Sequence, residues 1–206
     1  MKNIVKSPFF NTCLIILILF GSIACKEEIE SDPDIEGIPD TTKISDFEGN
    51  IYSTIKIGTQ LWLAENLKTT YNSSGDSLNG VFAYDDNENN VNTFGRLYTW
   101  ESAINACPEG WHLPSDIEWN ELISTLGSHA GDKLKVGGTS GFNAKMAGLR
   151  ISDGSFVGLG SLGVFWSSSE SGDHATTKLI VVNEPDVVVD DNAPKNSSLS
   201  VRYIKD

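Results

Sequence analysis

Basic residues are scarce in this chain. Fifteen Lys and Arg stand against 28 Asp and Glu in 206 residues, a formal charge of −13 at neutral pH. A nucleic-acid binder needs a basic footprint against phosphate, so that class is excluded. The same charge opposes peripheral docking on anionic lipid. Three cysteines are too few for a disulfide-rich scaffold. The three histidines, His112, His129 and His174, show neither i, i+4 pairing nor Cys/His spacing, which leaves zinc without a motif. What remains is ordinary globular composition, 39% apolar and 21% charged, which excludes wholesale disorder. At roughly 100–200 residues per domain, the length allows one domain with an appendage.

The appendage is N-terminal. Lys2 and Lys6 precede an unbroken apolar run from Cys13 to Phe20. A membrane-spanning helix needs roughly 20 such residues, so this shorter run reads as a signal-peptide core. Small residues follow, and Ser22-Ile23-Ala24-Cys25 resembles a bacterial lipobox. The resemblance implies cleavage after residue 24, a diacylglyceryl thioether on Cys25 and acylation of its new amine. Lys26-Glu27-Glu28 resembles the charged export signal of Bacteroidetes surface lipoproteins. Together they imply a lipid anchor in the outer membrane, facing the cell surface. Loss of residues 1–24 removes two lysines and no acid, taking the charge from −13 to −15. Residues 26–40 carry seven acids and one lysine, broken by Pro33, Gly37 and Pro39. Self-repulsion and few apolar groups make residues 25–43 an expected extended tether. The domain is then residues 44–206.

Within it, Ile51 to Ile57 alternates at strand period, and Gly58-Thr59 turns it into Gln60 to Leu63 as a hairpin. Tyr71 to Asn92 is rich in Asn, Asp, Ser and Gly and reads as loop. Thr99 is placed to cap a short helix through Ala106, ended by Pro108. Ser115-Asp116-Ile117-Glu118 is a capping box, followed by Trp119, Leu122, Ile123 and Leu126 at helical spacing and a stop at Gly127. Val164 to Trp166, Lys178 to Val182, Val187 to Val189 and Leu199 to Ile204 read as strands. Two early helices and several late strands predict an α+β fold.

Seven blocks carry a family resemblance. They are Ile57 to Leu67 (IGTQLWLAENL), Phe94 to Trp100 (FGRLYTW), Cys107 to Trp119 (CPEGWHLPSDIEW), Ser140 to Ala144, Ala147 to Arg150, Phe165 to Ser169 and Ser200 to Asp206. In this order they resemble the Fibrobacter succinogenes major paralogous domain, from about residue 47 to the end. The resemblance implies a C-type-lectin-like fold: two helices, a small twisted antiparallel sheet and long loops. That family's closing block usually has a cysteine where this chain has Tyr203, so Cys107 is left without its expected partner.

Chemistry-bearing patterns are few. The Gly110 to Trp119 block also resembles one in formylglycine-generating enzymes, but those need two active-site cysteines on copper and this domain has one. Cys107 and His112 invite a thiol nucleophile, which requires a base within reach and a third group orienting it. Asp85, Asn87 and Asn89 alternate like a calcium loop but lack its glycine and distal Glu, so they read as solvated turns with no cofactor expected, and calcium is the alternative. Trp62, Trp100, Trp111, Trp119 and Trp166 lie among apolar residues and read as core. The polar stretches Tyr71–Phe94 and Ser168–Thr177 are the expected binding loops. The expectation is a non-enzymatic cell-envelope lipoprotein, a surface binding or adhesion module for a glycan or protein. A structural component without ligand and an enzyme of unrecognised type are the alternatives.

Overall fold

The apolar residues from Tyr52 to Leu63 bury side chains on both faces of a hairpin, and that requirement organises the domain. The computed structural model describes residues 37–206. Twelve strands run in chain order: β1 (Ile38–Ser45), β2 (Ile51–Ile57), β3 (Gln60–Leu63), β4 (Val81–Phe82), β5 (Leu97–Tyr98), β6 (Trp111–His112), β7 (Ala147–Arg150), β8 (Phe156–Leu159), β9 (Leu162–Ser171), β10 (His174–Val181), β11 (Val187–Pro194) and β12 (Ile204–Lys205). The helices are α1 (Val91–Phe94), α2 (Trp100–Asn105), α3 (Asp116–Leu126) and α4 (Ala130–Leu134). One five-stranded sheet has the order β1-β2-β3-β12-β6, a second the order β11-β10-β9-β7-β8, and β4-β5 form a ribbon.

This corrects the expected α+β, C-type-lectin-like fold of two helices and a small sheet. Strands take 40% of the described residues and helices 19%. The physical reason is that helical periodicity is sustained only over the 11 residues of α3, while long alternating stretches pair as sheet. β1 takes in residues 38–43, which the sequence reading assigned to the tether; it pairs antiparallel with β2. The stretch around Met146 to Gly160 showed no strand signal because glycine interrupts it. Gly148 has a φ of 66°. A Cβ there would lie 2.4 Å from the Val157 carbonyl oxygen and 2.7 Å from the Tyr84 ring, so only glycine fits this pairing.

Local expectations that rest on short-range chemistry hold. β2 and β3 form the hairpin, with Ile57 opposite Gln60. The capping box is complete: Glu118 N–H donates to Ser115 Oγ at 3.3 Å, and Ser115 N–H donates to Glu118 Oε2 at 2.7 Å. Gly127 ends α3 at a φ of 67°. Lys133 Nζ, from α4, donates to the Leu126 carbonyl at 2.8 Å, placing a cation on the negative end of α3.

The first sheet is a wall between two cores. Tyr52, Leu63 and Tyr203 face one cluster with Tyr98, Trp111 and Trp166. Ile55, Ile57, Trp62 and Ile204 face the other, with Trp119, Leu122, Phe142 and Phe165. Trp62 and Trp119 lie 4.9 Å apart between centroids. Trp62, Trp119, Trp166 and Trp111 are buried, as a core role requires.

The closing segment sews these layers together. Leu199 bridges to Tyr98, Ser200 to Phe165 and Ser198 to Arg150, and Ile204 pairs with both Trp62 and His112. Within this segment Arg202 is fully buried. Its Nε donates to Asn66 Oδ1 at 2.9 Å, its Nη1 to the carbonyls of Leu63 at 2.7 Å and Phe142 at 2.6 Å, and its Nη2 to that of Asn143 at 2.9 Å. The guanidinium lies 4.4 Å from the Phe142 ring centroid. Burial pulls its pKa down to about 9, with the Glu65 charge opposing, and the group stays charged at neutral pH. Arg202→Met therefore strands three carbonyls and an amide oxygen in the core. We expect a loss of about 3–5 kcal/mol in chemical denaturation. Arg202→Lys, which keeps the charge but not the fork, should lose less.

Candidate functional site

A groove runs between the Tyr71–Gly80 loop and α2. The loop is built, not slack. Tyr71 bridges to Ser77, and Asn72 Oδ1 accepts the N–H groups of Ser74 at 3.0 Å and Asp76 at 2.8 Å. Glu48 pins Thr70 through both its N–H and its hydroxyl. Gly75, at a φ of 89°, sits beneath the Phe47 ring, where a Cβ would come within 2.5 Å. Phe47 thereby reaches Tyr71, with 5.6 Å between ring centroids. Opposite, the Thr99 N–H donates to the Gly80 carbonyl at 2.8 Å, and Ser102 Oγ donates to the Asn79 carbonyl.

Three adjoining depressions result. One of about 240 Å³ lies against Phe47, Tyr71 and Asn72. The central one, about 460 Å³, continues from Asn72 past Asn79 to Thr99, Glu101 and Asn105. The third, about 420 Å³, runs from Thr99 and Glu101 to Trp100, Lys195 and Asn196. Trp100 is half-buried. Its Nε1–H donates to the Ser167 carbonyl at 2.9 Å, and Lys195 Nζ lies 4.4 Å from its ring centroid. Lys195 is itself held by Glu170 and by the Gly172 carbonyl at 2.7 Å. Ser77, Asn79, Glu101 and Asn105 are exposed, and their side chains make no hydrogen bond among the described residues.

The sequence-predicted loops meet this groove in part. Tyr71 to Gly80 lines it. Asp85, Asn87 and Asn89 do not: they are exposed on two 3₁₀ turns, Tyr84–Asp86 and Glu88–Asn90. Asn87 Oδ1 accepts the Asn89 N–H at 3.1 Å, which is local turn chemistry. Among the described residues no three His, Cys, Asp or Glu gather as a metal site. Ser168–Thr177 is not a loop but the end of the β9–β10 hairpin, where Ser171 pairs with His174; its Glu170 steadies Lys195. Sequence reasoning missed α2 as a groove wall. Glu101 and Asn105, polar at i, i+4 on a helix that buries Ser102 and Ala103, were the available signal. Cys25, Lys26, Glu27 and Glu28 lie outside the described residues.

Cys107 and His112 do not form a nucleophile–base pair. Cys107 Sγ donates to the Trp111 carbonyl at 2.7 Å, and burial, then the Asp206 charge, pushes its thiol up to about 12. It is a free cysteine, and Tyr203 spends its hydroxyl on the Ala103 carbonyl at 2.7 Å. His112 is clamped instead between carboxylates. Its Nδ1 lies 2.7 Å from Asp206 Oδ1 and its Nε2 2.7 Å from Glu118 Oε1. Both contacts are hydrogen-bonded only when both ring nitrogens carry protons.

Partial burial works against the imidazolium, but the hydrogen bonds and charges of Asp206 and Glu118 outweigh it and raise the His112 pKa. Burial likewise works against the Glu118 carboxylate, and hydrogen bonds from Ser115 and His112 outweigh it and lower that pKa. The raised histidine stabilises fully below its unfolded pKa of about 6.5 and loses this as pH rises through the higher folded value. The lowered glutamate stabilises above its unfolded pKa of about 4.3 and loses this as pH falls through the lower folded value. The clamp is thus strongest between about pH 4.5 and 6.5. The melting temperature should fall from about pH 6 to pH 8.5, and His112→Ala should flatten that fall; thermal scans across pH check it.

A family model described as the Fibrobacter succinogenes major domain matches residues 55–205. No curated protein and no solved structure matches the chain.

Proposed function

The chain belongs to the Fibrobacter succinogenes major domain family, and on that premise we propose that it is a non-enzymatic binding or adhesion module carried on a lipoprotein. Cys25 bears the lipid, Lys26-Glu27-Glu28 directs export, and the domain faces the cell surface from the outer membrane. Its ligand is an extracellular glycan or protein, held in the groove between Tyr71–Gly80 and α2. The observation that carries this reading is the set of exposed, uncommitted side chains that face the groove, Ser77 and Asn79 from a loop braced by its own hydrogen bonds and Glu101 and Asn105 from α2. A preorganised polar surface flanked by aromatic faces costs little ordering on binding. The reading asks for no metal, and Asp85, Asn87 and Asn89 stay candidates for calcium only as a separate attachment on the exposed turns.

Enzymatic chemistry finds less support. The one thiol among the described residues is half-buried and held protonated, and both nitrogens of His112 are occupied by carboxylates. Acyl transfer needs an activated nucleophile beside its base.

Anchoring, export, binding and the absence of turnover are tested separately. Cys25→Ser should yield a protein without lipid mass that leaves the membrane fraction, since each buried CH₂ of an acyl chain contributes about 0.8 kcal/mol of anchoring. Alanine at Lys26, Glu27 and Glu28 should keep the lipid and abolish digestion by protease added to whole cells. On a glycan array and a panel of extracellular matrix proteins, the full-length protein in detergent should retain at least one ligand. Glu101→Ala with Asn105→Ala should release it at unchanged melting temperature. Retention indifferent to the double variant overturns the groove. Turnover of any substrate that is lost on Cys107→Ala or His112→Ala overturns the non-enzymatic reading.

A further inference from the structure

We infer that the groove takes a neutral, hydroxyl-rich chain, an uncharged polysaccharide lying along all three depressions. This deepens the binding role proposed above and rests on it.

The argument begins with charge. The groove wall carries Glu101, with Asp46 and Glu109 lining the first depression. Its cation, Lys195, is neutralised by Glu170. The described domain sits in a chain of net −13. An anionic polymer would meet repulsion at every step and find no free cation to pair with.

Hydrogen-bonding capacity points the same way. Asn79 and Asn105 each offer a carbonyl oxygen and an amide NH₂, and Glu101 between them offers two acceptor oxygens. Adjacent hydroxyls donate and accept together, so they can be satisfied by this mixed set at neutral charge. A peptide ligand would instead need either a free strand edge or a deep apolar pocket for an anchor residue. The groove offers neither: it is open, its central part has the half-buried Leu78 but no deep apolar pocket, and its aromatic groups are at the two ends. Phe47 with Tyr71 stands at one, Trp100 at the other. Such faces suit the C–H surfaces of a ring.

The placement of aromatics at both ends and polar groups between sets a length requirement. A single sugar can contact one depression; a chain of several can contact all three. Affinity should therefore climb with chain length.

The test uses the full-length protein in detergent and calorimetric titration with neutral gluco-, manno- and xylo-oligosaccharides of two to six units. Alginate oligomers of the same lengths serve as the anionic set and oligolysine as a cationic peptide. At least one neutral series should bind, tighter with each added unit up to the span of the groove. Raising the ionic strength from about 0.1 M to about 1 M, which shortens the Debye length from about 10 Å to about 3 Å, should leave that binding unchanged, because the ligand is uncharged. Asn79→Ala and Glu101→Gln, both at exposed positions, should each weaken it by about tenfold or more, as loss of one good hydrogen bond does. Unchanged melting temperatures would show that the variants are folded.

The inference falls if no neutral series binds, if alginate binds better, or if the two variants leave a neutral ligand's affinity intact. Oligolysine bound through the groove, with loss on Glu101→Gln, would keep the binding face and overturn the neutral chain. A matrix protein or glycan bound equally by wild type and both variants would overturn the groove itself.

Discussion

The buried guanidinium of Arg202 holds the layers of this domain in register. It lies where both sheets and the loop from Ser140 to Asn143 converge, and among the described residues no carboxylate bonds to it. Its charge is met by three backbone carbonyls, the Asn66 amide oxygen and the faces of two phenylalanines. Its donors are divided between two segments, Leu63 to Asn66 and Phe142 to Asn143, so the guanidinium is satisfied only when both are in place. Stranding it in a partly assembled core would cost several kcal/mol. That makes the group a test of correct assembly. Asn66 extends the arrangement: its NH₂ donates to the Phe94 carbonyl at 2.9 Å and to Ser200 Oγ at 3.2 Å. Gly95 permits the close approach, since a Cβ there would lie 2.6 Å from Asn66 Cβ.

The rest of the molecule hangs from this seam. The residues on either side of Arg202 in sequence bond to β3 through Leu63 and to Leu67 just beyond it, to β5 through Tyr98 and to β9 through Phe165. β5 leads directly into α2, whose outer face forms the groove wall. β9 leads into the hairpin whose Glu170 holds Lys195 over Trp100. The candidate binding groove is therefore supported at both walls by elements that the closing segment pins. Lys178 ties the same hairpin to α3: fully buried, it pairs with Asp116 and donates to Asn120 Oδ1 at 3.2 Å. The His112 clamp closes the far end, joining β6, α3 and Asp206. The motif blocks that carry the family resemblance contribute Asn66, Gly95, His112, Glu118, Phe142 and Arg202. Their shared role in this chain is assembly, and the groove proposed for binding is lined mostly by residues outside them.

What the sequence by itself determined was local. The capping box, the Gly127 stop and the Gly58-Thr59 turn depend on groups within a few residues of each other, so residue types alone state the geometry. The family was legible for a similar reason: several blocks of uncommon residues in fixed order are specific without any knowledge of shape. The unpaired state of Cys107 followed from Tyr203. Only the tertiary structure decided the fold class, because β7 and β8 are broken by glycines, β1 was hidden in an acidic stretch, and strand pairing depends on distant partners. It also decided the site. Asp85, Asn87 and Asn89 are spaced like ligands but are spent on exposed turns. Trp100, placed in the core by its apolar neighbours, stands instead at the end of a groove. Cys107 and His112 are five residues apart yet face different partners. A groove and a clamp are made by chains meeting from far along the sequence, and spacing carries no information about which of them meet.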